Sequence, residues 1–297
     1  MKRFRLIATA LAAQACFATA ALAQETTTGD DIVVTGARLE EIVREFVGEV
    51  AAAPGSEDQI ARWDGRICPG IIGLQDRAAA QAIIDRIAQR AYEVDLDVAR
   101  PGCRADVIVF ITPDSQALAA ELRATFRQMM NVYSTNNVHT LGLEAMDDFV
   151  ATPRIVRWWH VTNTTSADGF ELGEAAQQVR SSGSRLSRGT RQDFSRVIIV
   201  VDATRAAGVN RDSLADYIAM VALAQLDLTA DTSAYPSILN LFGEGQRPTT
   251  LTEWDRAYLT SLYGARRNSY SSGAQERDIS REMVDQLTPP AAAPERQ

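Results

Sequence analysis

The sequence predicts an α+β fold in one large domain, and three observations carry that prediction. DVIVFI at 106–111 and RVIIVVDA at 196–203 are apolar almost throughout and read as strands covered on both faces. The stretches 39–50, 76–94 and 115–131 repeat their apolar residues at helical spacing. Strands and helices then mix without strict alternation and without an internal repeat, which favours α+β over a doubly wound sheet.

The first residues address the chain for export. Lys2, Arg3 and Arg5 precede an apolar run from Leu6 to Leu22, and Ala21-Leu22-Ala23 is an A-x-A cleavage site. This is the pattern of a signal peptide over 1–23, cut between Ala23 and Gln24. Cys16 follows Ala13-Gln14-Ala15, a poor lipobox. No later run reaches the ~18 apolar residues of a membrane span. The expected location is the periplasm or the exterior. The mature chain keeps roughly 274 residues, enough for a sizeable core.

Residues 24–38 read as a flexible N-terminal segment, polar in QETTTGDD and apolar in IVVTGAR. In the first helix, Leu39, Ile42, Val43, Phe46, Val47 and Val50 share a face that ends before Pro54-Gly55. RWDGRICPGIIGL at 62–74 reads as a strand interrupted by Pro69. Helix 76–94 presents Ile83, Ile84, Ile87 and Ala91, and helix 115–131 presents Leu118, Leu122, Phe126 and Met129. RIVRWWHVTN at 154–163 alternates like a half-buried strand. The five arginines of RSSGSRLSRGTRQDFSR, 180–196, predict a solvated basic loop, with binding of an acidic partner or phosphate as the other reading. Ser213-Leu-Ala-Asp216 and Thr252-Glu-Trp-Asp255 are capping boxes, opening helices 213–227 and 252–263. The domain should span 39–264, with 265–297 a partly disordered tail.

Composition removes several function classes. Loss of the signal peptide takes away three positive charges and moves the formal charge from −8 to −11. Such a chain is a poor ligand for nucleic acid or anionic lipid. Lys2 is the only lysine, so the mature protein has neither a Schiff-base nor a P-loop lysine. Cys68 and Cys103 are the two mature cysteines, and in an oxidising compartment they are expected to pair. A metal site at that pair is the weaker reading, since no histidine lies near it in sequence.

Tyr217 to Ala224 is eight apolar or aromatic residues in a row, and a helix apolar all round is buried all round. The segment 213–264 nevertheless resembles the catalytic end of the metzincin metalloproteases, the matrixins in particular. The resemblance implies a zincin-like domain with a mixed sheet and a buried central helix. On that register the histidine positions fall on Tyr217 and Val221, the glutamate on Ile218 and the glycine on Ala224. The third ligand position falls on Asp227. Ser237-Ile238-Leu239 stands where the methionine turn would be, and Leu251–Asp255 with Leu262-Tyr263-Gly264 matches the closing helix. The region is also similar to exported alphaproteobacterial proteins that carry a degenerate helix of this kind, a likeness that implies no activity.

The departures decide the chemistry. Zinc takes three or four N, S or O ligands, and Asp227 alone cannot hold it. Ile218 cannot serve as the general base. The expectation is therefore a pseudo-metalloprotease that binds a protein or envelope component, with neither metal nor cofactor. The alternative is an envelope hydrolase, possibly metal-dependent, built around His139, His160 and Asp227, with Glu144, Asp147 or Asp148 nearby in sequence. No G-x-S-x-G elbow exists.

Three further features keep two readings each. Asp202 ends a buried strand and is either a functional carboxylate or a turn residue. Trp158 and Trp159 are adjacent on a strand, so one points outward, either to stack a sugar or meet a partner, or to be covered by a helix. IVVTGAR resembles the TonB box of outer-membrane receptors. That implies strand addition to TonB through Ile32, Val33, Val34, Thr35 and Gly36; the other reading is the domain's own edge strand. The chain lacks the many alternating strands of a barrel receptor.

Overall fold

The computed structural model describes residues 36–53, 59–133, 137–173 and 187–288, together with Val179 and Ser184. The predicted signal peptide with its Ala23–Gln24 cleavage, the stretch 24–35 with Ile32–Thr35, and residues 289–297 lie outside these.

Five strands form one mixed sheet: β1 (Pro69–Ile72), β2 (Val107–Thr112), β3 (Val138–His139), β4 (Val156–Ser166) and β5 (Thr190–Asp202). Their order is β1-β2-β5-β4-β3. β1, β2 and β5 run parallel, in register Val107↔Val197 to Thr112↔Asp202 between the last two. β4 is antiparallel to β5 and β3 antiparallel to β4. The fold class is α+β with a mixed sheet. Pro69 opens β1 and does not interrupt it; β1 is an edge strand, where a residue lacking N–H is tolerated at the first position. Gly73 then turns the chain at φ +92, where a Cβ would strike the Ile111 carbonyl.

The alternation along β5 splits the core into two. Val197, Ile199 and Val201 face one cluster with Val107, Val109 and Trp158, while Ile198 and Val200 face a second with Trp159, Val161 and Phe149. Helices cover both faces, so both strand tryptophans are buried, at 6% and 1% exposure. β4 is therefore covered on both sides, and its predicted half-exposed face does not exist. Trp158 Nε1 donates to Leu226 O at 3.0 Å and Trp159 Nε1 to Met130 O at 2.7 Å, which satisfies both indoles.

On the first face lie α1 (Gly36–Val50), α2 (Arg77–Tyr92), α6 (Arg211–Leu223), a 3-10 turn (Ile238–Phe242), α7 (Glu253–Gly264) and α8 (Ser272–Leu287). On the second lie α3 (Ser115–Thr125), α4 (Arg127–Met130) and α5 (Gly142–Ala151). The stretch predicted as one helix over 115–131 breaks at Phe126, which leaves helical geometry at φ −103, ψ 41. Asn131 ends the short α4 in the left-handed region, which asparagine tolerates. Gly36-Ala37-Arg38 form the first turn of α1, so the TonB-box-like segment meets a helix at its end.

Two boundaries move further. The stretch 190–196, expected in a basic loop, is the first half of β5. Its polar residues are buried in pairs: Arg191 Nε with Asp193 Oδ2 at 3.0 Å, and Gln192 Nε2 with Thr164 Oγ1 at 2.7 Å. Residues 272–287, expected in a disordered tail, form α8. Ser271 caps it, and Ile279 and Met283 are fully buried in the core shared with α1 and α7. Cys68 and Cys103 are joined by a disulfide, placed just before β1 and β2. Among the described residues no helix is long and apolar enough to cross a membrane.

Candidate functional site

α6 starts earlier and stops earlier than its sequence suggests. Asn210, not Ser213, is the N-cap; its Oδ1 accepts from Asp212 N and Ser213 N. Ser213 is buried in the first turn, and its Oγ donates to Thr249 O at 2.9 Å. The helix ends at Leu223, and Ala224 is extended at φ −123, ψ 143. Alanine adopts that geometry without strain, so the turn there needs no glycine. Asp227 therefore stands on the loop beyond the helix, anchored by its N–H to Val50 O at 3.0 Å.

The four register positions separate into two sets. Ile218 and Val221 are fully buried against the sheet and neighbouring helices. Tyr217 and Asp227 line a cavity of about 190 Å³ with Trp158 on β4, Leu239 and Phe242 on the 3-10 turn, and Arg154. Tyr217 packs edge-on against Phe242 at 5.2 Å and Trp158 at 6.4 Å between ring centroids. Burial raises the Tyr217 phenol above its ordinary value, and the Arg154 charge opposes this. Among the described residues its hydroxyl has no hydrogen-bond partner. Asp227 Oδ1 accepts from Thr229 N and Oγ1, both at 2.7 Å, while Oδ2 has no such partner.

The closing segment is braced by buried hydrogen bonds. Thr252 and Asp255 form the predicted capping box around α7. Asp255 also accepts from Ser237 Oγ at 2.6 Å and Ile238 N at 2.8 Å, which fixes the 3-10 turn carrying Leu239. Tyr263 Oη donates to Leu223 O at 2.8 Å and ties the end of α7 to the end of α6. Asp216, expected as the acid of a Ser213–Asp216 capping box, instead anchors the start of α6 to its neighbours. This fully buried carboxylate accepts from Arg86 and Arg90 on α2, from Thr250 Oγ1 and from Leu251 N.

His139 and His160 have separate engagements. His160 Nε2 lies 3.0 Å from Val221 O, and its ring packs at a 36° tilt against Phe194, 5.0 Å between centroids. Burial drives its pKa down to about 4, so the ring is neutral at physiological pH and donates Nε2–H to that carbonyl. His139 Nε2 lies 3.0 Å from Thr164 Oγ1. Among the described residues no group of three or more His, Cys, Asp or Glu could hold a metal ion. Asp202 acts as a turn residue. Its Oδ1 accepts from Thr204 N and Arg205 N, and its Oδ2 from Ser115 Oγ at 3.0 Å.

Sequence reasoning missed Trp158, Phe242 and Arg154 as neighbours of Tyr217. They come from β4, the 3-10 turn and the loop before β4, and no local spacing links them. No protein-family model, curated protein or solved structure matches this chain.

Proposed function

We propose that this is an exported, non-catalytic binding protein of the cell envelope, built on a metalloprotease-like frame, with its site in the cleft at Tyr217. The observation that carries this reading is a convergence. The first and third ligand positions of the degenerate pattern, Tyr217 and Asp227, share one cavity with Leu239 of the turn position. The remaining positions, Ile218 and Val221, have been given over to core. A cleft keeping its shape without its metal donors suits binding and not hydrolysis. The Cys68–Cys103 disulfide is in keeping with an oxidising compartment reached through a signal peptide.

The test is zinc content of the exported mature protein, purified without added metal or chelator, by elemental analysis. Near-zero zinc is expected. Stoichiometric zinc would overturn the reading and put the hydrolase alternative first.

The segment 32–38 belongs to the same proposal as a contact for a TonB-like partner. Because α1 begins at Gly36, strand addition would rest on Ile32–Thr35. Deleting 32–37 should abolish binding of the mature protein to a TonB C-terminal domain. Unchanged binding would remove that partner.

A further inference from the structure

The cavity at Tyr217 combines three features that together specify a ligand class. Its walls are aromatic. Trp158, Tyr217 and Phe242 meet edge-on, so their rings stand at angles of 63° and 65° to one another around a corner. Their positions are fixed: the Trp158 indole is held by Leu226 O, and Tyr217 by α6. A corner of angled rings offers π-faces to a cation in more than one direction.

The second feature is a carboxylate with spare capacity. Asp227 uses Oδ1 on Thr229 and leaves Oδ2 without a partner among the described residues. The third is a cation in the same lining. Arg154 commits Nη1 to Asp148, with Oδ2 at 2.8 Å and O at 3.4 Å. Its Nε and Nη2 have no partner among the described residues. The 94% buried Tyr217 adds a hydroxyl without a protein partner in the same cavity. It is a further hydrogen-bonding group open to a ligand.

Size narrows the choice. At about 190 Å³ the cavity is smaller than the roughly 300 Å³ of the smallest drug-sized sites. We infer that this cleft binds a small zwitterion. Its ammonium group, quaternary by preference, sits in the corner of Trp158, Tyr217 and Phe242 beside Asp227, and its anionic end meets the free N–H groups of Arg154. The inference rests on the cleft being the binding site proposed above. A free solute and a lipid headgroup share this chemistry.

Calorimetric titration of the mature protein tests it with glycine betaine, choline, the neutral isostere 3,3-dimethylbutan-1-ol, and vesicles of dioleoyl phosphatidylcholine. Betaine should bind more tightly than choline, and choline about tenfold more tightly than the isostere, the difference being the cation–π and carboxylate contribution. Asp227→Asn and Phe242→Ala should each weaken betaine about tenfold, and Arg154→Gln should make betaine and choline equal. Thermal melts of each variant check that it folds. Vesicle binding without betaine binding would assign the same chemistry to a lipid headgroup. Isostere binding as tight as choline, or no effect of Asp227→Asn in a folded variant, overturns the ligand class and leaves the cleft a binding site. Choline binding at least as tight as betaine, with no vesicle binding, overturns the zwitterion. Binding of none of the four probes overturns the ligand class, and the zinc measurement then decides the frame by itself.

Discussion

Asp216 on α6 and Arg90 on α2 meet inside the protein as a two-point pair, with Oδ1 2.8 Å from Nε and Oδ2 3.1 Å from Nη2. Arg86 repeats the geometry from one turn earlier on α2. Burial would raise the carboxyl's pKa, but hydrogen bonds from Arg90 and Thr250 and the arginine charge hold it below the usual carboxylate value of 3.8. Asp216→Ala should cost about 3–5 kcal/mol, because it leaves two guanidinium groups facing an uncharged pocket. Urea unfolding at pH 7 measures it. The group's folded pKa is depressed, so its stabilising effect is whole above the unfolded-chain value and is lost as pH falls through the folded one. Acid unfolding of the wild type below about pH 4 should therefore be steeper than that of the variant.

His160 predicts a second, separate pH dependence. Its pKa is about 6.5 unfolded and about 4 in the protein, so between those values the unfolded chain binds the extra proton. Stability should fall as pH drops from 6.5 to 4, by at most roughly 3 kcal/mol at about 1.4 kcal/mol per unit. His160→Gln retains a donor for Val221 O and should flatten this part of the melting-temperature curve. An unchanged slope would assign the acid sensitivity to other groups.

The disulfide should matter for stability and not for the cleft. It closes a sequence separation of 35 residues at the start of β1 and β2, and neither cysteine lines the Tyr217 cavity. In the chain-entropy treatment that is worth about 4 kcal/mol. Paired Cys68→Ser and Cys103→Ser substitutions should lower the urea midpoint accordingly. Betaine titration of the folded variant should be unchanged.

The C-terminal helix is expected to be part of the folding unit. Ile279 lies in the core with no exposure, and truncation to alanine should cost about 2–5 kcal/mol. Ending the chain at residue 271 would uncover the faces of α1 and α7 that α8 packs on. Circular dichroism of that truncation should show loss of cooperative melting.

The elements legible in the sequence were those whose pattern is local. DVIVFI and RVIIVVDA became β2 and the inner half of β5, because a run of apolar β-formers has nowhere to go but a covered strand. The Thr252–Asp255 box formed as written, since its two hydrogen bonds lie within four residues. The same locality misled at Ser213, where Asn210, three residues earlier, satisfies the orphan N–H groups first.

What failed was set by partners far along the chain. The outer half of β5 reads as a polar loop because Arg191 and Asp193 acquire their counter-ions from Asp64 and Arg267. α8 reads as a tail because its charged sequence carries only a narrow apolar stripe, which becomes a core face once α1 and α7 lie beside it.

The sequence by itself determined the α+β class, the pairing of Cys68 with Cys103 and the burial of the helix from Tyr217 onward. Hydrophobic runs and so few cysteines leave few alternatives. Only the tertiary structure decided that Tyr217 lines a cleft while Ile218 and Val221 do not. Both outcomes are apolar in sequence, and the difference arises from what β4, the 3-10 turn and the Asp227 loop place against each side of the helix.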